Sequence, residues 1–194
     1  MALDSLSAVL SSPQRSSLQQ SLNTRLLEAA EAKEEGNRLL KLGKTQEALE
    51  AYLTAEAALE VYESAKVILS GRLCETLDRL LRDLRSNAAA AALKIGEWDA
   101  AVAAATAVLN EEPTHEKALY RRASAYLGRR EQQRDQRHEA EGEASVVDGG
   151  SEGDDGGVEG SDAENLCKAR EDLQALLKAH PSNLAARKLL DGIK

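Results

Sequence analysis

The sequence predicts an all-α fold of stacked helical hairpins, and three observations carry that prediction. Hydrophobic residues make up 42% of the 194-residue chain, yet phenylalanine is absent and tryptophan occurs once, so small and aliphatic side chains must build the core. That composition suits helices packed closely in layers and suits a β-sandwich badly. No run of alternating β-branched residues interrupts the chain; apolar residues recur instead at three-to-four spacing from about Ser21 onward.

Taken in order, residues 1–20 read as a flexible N-terminal arm, although Ser12-Pro13 offers a helix start with serine as cap and proline in the first turn. Leu22, Leu26, Leu27, Ala30, Lys33, Asn37 and Leu40 then mark a first helix that Gly43 ends. A second begins near Thr45, a plausible cap, with Ala48, Tyr52 and Ala55 on one stripe. The same grammar recurs. Gly36, Ala48, Tyr52 and Ala55 are matched 53 residues later by Ala89, Ala101, Ala105 and Val108. The next first-helix counterpart, Ala123, follows Ala89 by 34 residues, the period of the tetratricopeptide repeat. The first interval is 19 residues too long, which predicts lengthened helices around Val61 to Leu81, with Gly71 marking a turn.

The third unit is broken. HEKALYRRASAYLG gives its first helix, but its second, AENLCKAREDLQALLKAHP, comes only after an acidic, glycine-rich insert at about 138–162. Pro181 lies 68 residues beyond Pro113, twice the period, yet the gap has too few apolar residues to bury a helical face, so it is expected to be disordered. A last helix, Asn183 to Lys194, would cap the stack, as terminal repeats require. The expected architecture is a tetratricopeptide helix–turn–helix superhelix over residues 21–194, with three repeats plus a C-terminal capping helix.

Charge is unevenly spread. Residues 131–164 hold twelve acids against two arginines, a charge of −10 in a chain of net −8, so everything else sums to +2. Cys74 and Cys167 belong to no C-x-x-C pair and read as free thiols of a reducing compartment. The first residues lack the basic lead of a secretory signal, and no apolar run approaches the roughly 20 residues of a membrane helix. The expected location is cytoplasmic, with the nucleus as a second compartment, and no membrane partner is expected. His115, His138 and His180 have no metal-ligand spacing, and no phosphate loop, nucleophile elbow or other catalytic constellation occurs. The expectation is a non-enzyme with no cofactor and no metal. The basic run RRASAYLGRR lies within a regular repeat helix with few stacking aromatics, so nucleic acid is not an expected partner.

AKEEGNRLLKLGKTQEALEAY, SNAAAAALKIGEWDAA and KALYRRASAYLG resemble the repeat domains of chaperone-binding co-chaperones. Such domains bind the extreme C-terminus of the seventy- and ninety-kilodalton heat-shock chaperones, which ends Glu-Glu-Val-Asp, through five polar residues called the carboxylate clamp. The resemblance implies Lys33 and Asn37 from the first repeat, Asn87 from the second, and Lys117 and Arg121 from the third. Each position carries the expected residue type. Physical chemistry points the same way: Lys33 and Asn37 are four apart, as are Lys117 and Arg121, so each pair shares a helix face. Lysine offers a point charge, arginine a planar fork and asparagine directed N–H donors, a set matched to a terminal carboxylate plus an aspartate side chain. Asn37 after Gly36 in mid-helix, and Asn87 ahead of five alanines, are poor choices for helix stability alone. The expected function is a co-chaperone or adaptor that binds a chaperone tail; the alternative is a tetratricopeptide scaffold that assembles a different protein complex. The acidic insert reads as a solvated loop or, alternatively, as a segment that occupies the basic groove in cis.

Overall fold

The computed structural model describes residues 11–144 and 156–193, and among these it contains seven α-helices and no strand. The helices are α1 (Ser12–Lys41), α2 (Thr45–Glu60), α3 (Gly71–Ile95), α4 (Trp98–Glu111), α5 (Glu116–Ala144), α6 (Gly156–Ala179) and α7 (Leu184–Gly192), with a short 3₁₀ turn at Lys66–Ile68. Contacts divide the chain into two units at Ile95/Gly96, α1 to α3 in the first and α4 to α7 in the second.

In the N-terminal unit, α1 packs against α2, α2 against α3, and α1 also touches α3. Leu22, Leu59, Leu77, Leu81 and Leu84 are fully buried there, each worth about 2 kcal/mol of apolar burial. Gly43 ends α1 at φ 79°, a left-handed conformation that a side chain would strain. Gly96, 53 residues later and at φ 77°, does the same after α3. Gly36 serves another purpose: a Cβ there would stand 2.5 Å from the Tyr52 ring. The glycine lets α2 lay a fully buried tyrosine directly on the α1 backbone.

The first repeat begins earlier than expected. Residues 12–20, assigned to the arm, are helical, and the cap is Ser11 rather than Ser12: Gln14 Oε1 accepts from the Ser11 backbone N–H at 2.8 Å, with Pro13 in the first turn. Few of these residues are apolar, so hydrophobic periodicity gave no sign of a helix. Residues 1–10 of the expected arm lie outside the described residues. The long first interval divides between a connection over residues 61–70 and an N-terminal lengthening of α3 from Gly71. That connection is pinned from both sides. Ser21 and Tyr62 share a hydroxyl hydrogen bond of 2.8 Å, the Cys74 thiol donates to the Lys66 carbonyl, and Lys66 pairs with Asp78. Arg85, buried on α3, donates to Glu56 at 2.7 Å and ties α2 to α3.

In the C-terminal unit, α5 packs against both α4 and α6, and α6 against α7. Small residues make this close packing possible: Ala101, Ala105, Ala118, Ala123, Ala125, Ala169 and Ala186 are all buried. The Trp98 ring covers Gly128, where a Cβ would lie 2.5 Å away. Along α5, three arginines grip α6: Arg122 meets Asp172 through two bonds of 2.8 and 2.7 Å, Arg129 donates to Asn165, and Arg137 donates to Asp162 at 3.2 Å. Helix therefore reaches further into the acidic stretch than the expected limits of 138–162, and polar pairings between α5 and α6 extend as far as Arg137 and Asp162. Residues 145–155 lie outside the described residues. Asn183 caps α7 by accepting from the Ala186 N–H at 2.9 Å and donates to Glu116 at the start of α5.

Candidate functional site

The five residues singled out by the sequence fall in both units, three in the first and two in the second. In the N-terminal unit the structure brings Asn37 and Asn87 together: Asn87 Nδ2 donates to Asn37 Oδ1 at 3.2 Å, from residues 50 apart in the chain. The Tyr52 hydroxyl donates to the same oxygen at 2.8 Å. With both lone-pair directions of Oδ1 occupied, the Asn37 amide is fixed with its N–H donors turned the other way, where one meets Glu34 at the long distance of 3.4 Å. Lys33, one turn before Asn37, extends its ammonium to Asp83 at 3.1 Å. Asp83 in turn lies one turn before Asn87 on α3.

Two residues here escaped sequence reasoning. Tyr52, which the sequence marks only as part of a helix stripe, packs within the first repeat, and its hydroxyl orients the candidate ligand-binding amide. Burial, with the nearby Glu34 charge, raises the Tyr52 pKa above its ordinary value, so the hydroxyl keeps its proton and remains a donor. Asp83 carried no signal, because its partner Lys33 is 50 residues away. Gly36 is explained by the tyrosine ring above it, and so its presence before Asn37 reflects packing rather than ligand binding.

In the C-terminal unit, Lys117 and Arg121 stand one turn apart on the first two turns of α5. Lys117 is exposed and, among the described residues, has no ion-pair or hydrogen-bond partner. A cation in the first helical turn opposes the macrodipole, so helix stability does not account for it. Arg121 is half-buried, and desolvation lowers its pKa, though a guanidinium stays charged throughout the physiological range. Its neighbour Arg122 has a different task, pairing bidentately with the buried Asp172 and donating to Thr106. His115 Nδ1 caps α5 by accepting from the Ala118 N–H at 3.2 Å. Among the described residues, no group of His, Cys, Asp and Glu is placed to hold a metal, and no helix is long and apolar enough to cross a membrane.

No protein-family model matches the sequence, and no curated protein matches it. Solved structures do. The C-terminal TPR-containing domain of a Plasmodium falciparum FK506-binding protein matches at TM-score 0.62 and 20% identity, over 89% of each chain. The first TPR domain of Spaghetti (RPAP3), bound to the HSP90 peptide SRMEEVD, matches at TM-score 0.54 and 18% identity, over 86% of this chain and 90% of that one. The second TPR domain of human RPAP3, in complex with the HSP70 peptide SGPTIEEVD, matches at TM-score 0.54 and 20% identity, over 89% and 97%. The fold is that of a tetratricopeptide-repeat domain.

Proposed function

We propose that this tetratricopeptide-repeat domain is a non-enzymatic adaptor that holds the C-terminal Glu-Glu-Val-Asp tail of a heat-shock chaperone, with Lys33, Asn37 and Asn87 of the first unit and Lys117 and Arg121 of the second as its carboxylate-binding residues. The observation that carries the proposal is the Tyr52–Asn37–Asn87 network. It places two amides from the first helices of two repeats at one point beside a lysine, and it leaves N–H donors directed away from the network. Lys117 supports the reading from the other unit, as a cation with no structural partner among the described residues, where an incoming anion would also meet the positive end of α5.

A terminal carboxylate and an aspartate side chain supply acceptor oxygens in a small volume, and charge-assisted hydrogen bonds to them are worth about 1.5–3 kcal/mol each. A clamp of this kind recognises that a peptide ends, because an internal peptide bond lacks the second oxygen. The related folds bound to peptides ending EEVD make this tail the first ligand to try.

The test is calorimetric titration with a peptide ending Met-Glu-Glu-Val-Asp beside the same peptide amidated at its C-terminus. Micromolar binding that disappears on amidation is the expected result. Equal binding of both peptides would refute the clamp and favour a scaffold that reads internal sequence.

A further inference from the structure

The first helices of the first two repeats are long, and their extra length builds a groove. α1 runs 21 residues before Lys33, and α3 runs 16 before Asn87, or about six and about four helical turns. Between these stretches lies a groove of about 970 Å³. Buried Leu26 and Leu80 form its floor, Leu27 stands 69% exposed on its rim, and Arg72 and Arg79 line its α3 side. Lys33 and Asp83 close one end.

The charges in this groove do not balance. Three cations face one acid, and that acid, Asp83, is already engaged with Lys33. The Arg72 and Arg79 side chains are exposed, and their guanidinium groups have no ion-pair or hydrogen-bond partner among the described residues. An apolar floor beside uncommitted arginines suits an extended peptide that carries both acidic and apolar side chains, because alternate residues of such a peptide turn to opposite sides.

We infer that this groove receives the residues immediately upstream of the bound carboxylate, an acidic segment of the partner's tail with an apolar side chain. The inference rests on the clamp reading, which puts the end of the peptide beside Lys33. Lengths agree: Asp83 to Arg72 spans eleven helical residues, about 16 Å, which an extended peptide covers in about five residues. Arg79 stands one turn from Asp83, the distance of about two peptide residues, so acids close to the terminus meet Arg79 and those further upstream meet Arg72. Selectivity among carboxylate-ended peptides is thereby assigned to the extensions of α1 and α3, separately from the clamp that reads the end itself.

The experiment is fluorescence anisotropy on the full chain with peptides ending Glu-Glu-Val-Asp and Ala-Ala-Val-Asp, on the wild type and on Arg72→Glu/Arg79→Glu. Both arginines are exposed, and circular dichroism verifies that the double variant folds. The wild type is expected to prefer the acidic peptide by about tenfold, with a steeper salt dependence. The double variant should lose that preference while still binding the Ala-Ala peptide in an amidation-sensitive way. An undiminished preference in the double variant would overturn the inference, because upstream acids would then be read elsewhere. If the wild type kept its preference after amidation and the variant lost it, the groove would stand and the clamp reading would fall. Failure of the wild type to bind either peptide would overturn both.

Discussion

In the N-terminal unit, Asn37 and Asn87 are joined to each other and to Tyr52 by hydrogen bonds of 3.2 and 2.8 Å; in the C-terminal unit, Lys117 stands exposed and unpaired among the described residues, and Arg121 is half-buried. The first arrangement contributes direction. Its donors are oriented by the fold, so little side-chain freedom is lost when a ligand arrives. The second contributes charge, including one long cation whose rotamers must be frozen by the ligand, at a cost of about 0.5–1.5 kcal/mol. A substitution within the Tyr52–Asn37–Asn87 network should therefore damage fold and binding together, whereas one at Lys117 should damage binding alone.

The largest expected effect breaks the oriented half. Gly36→Val would drive a side chain into the fully buried Tyr52 ring, which has no room to retreat. Urea titration should show a loss of about 3 kcal/mol, and tail binding should fail as the hydroxyl leaves Asn37. Next comes Lys117→Ala, which should weaken tail binding by about thirtyfold, or about 2 kcal/mol, while calorimetry finds the melting temperature unmoved. A drop in melting temperature with unchanged affinity would invert the contrast between the units.

Tyr52→Phe keeps the ring and removes the donor. It should cost about 1 kcal/mol of stability and weaken binding several-fold, since the Asn37 amide is then free to turn. It also has a pH signature. Burial raises the Tyr52 pKa in the folded protein, so its contribution is fully present below about pH 10, where the unfolded tyrosine titrates, and is lost as pH rises through the folded value. Denaturation followed from pH 8 to 11 should show this alkaline loss in the wild type and less of it in the variant. The smallest effect belongs to Asp83→Asn. Asp83 is half-exposed, so releasing Lys33 from it should strengthen tail binding by at most about fivefold at low salt, and the gain should shrink in high salt.

Much of this was legible in the sequence where a local rule governs it. Gly43 stops its helix because a left-handed residue is needed there, and the pattern from Ala89 to Ala123 shows its period without any structure. The pairs Lys33/Asn37 and Lys117/Arg121 share helix faces for the same local reason. What stayed hidden depends on distant partners. Tyr52 orienting Asn37, Asp83 holding Lys33 and Gly36 making room for a ring are tertiary facts, set by packing between helices. Residues 12–20 were misread because their helix rests on a capping box and on continuity with α1 rather than on apolar spacing.

The arginines of α5 have a consequence for how this chain can change over time. Arg122, Arg129 and Arg137 fix the register of α5 against α6 through Asp172, Asn165 and Asp162. The alignment of the two helices is thus written into the helices themselves and does not depend on the segment that joins them. Doubling the length of a loop costs only about 0.6 kcal/mol of closure entropy. Sequence can therefore be added between α5 and α6 while the third repeat closes in the same register, so this junction is a place where new sequence can accumulate at little cost to the fold.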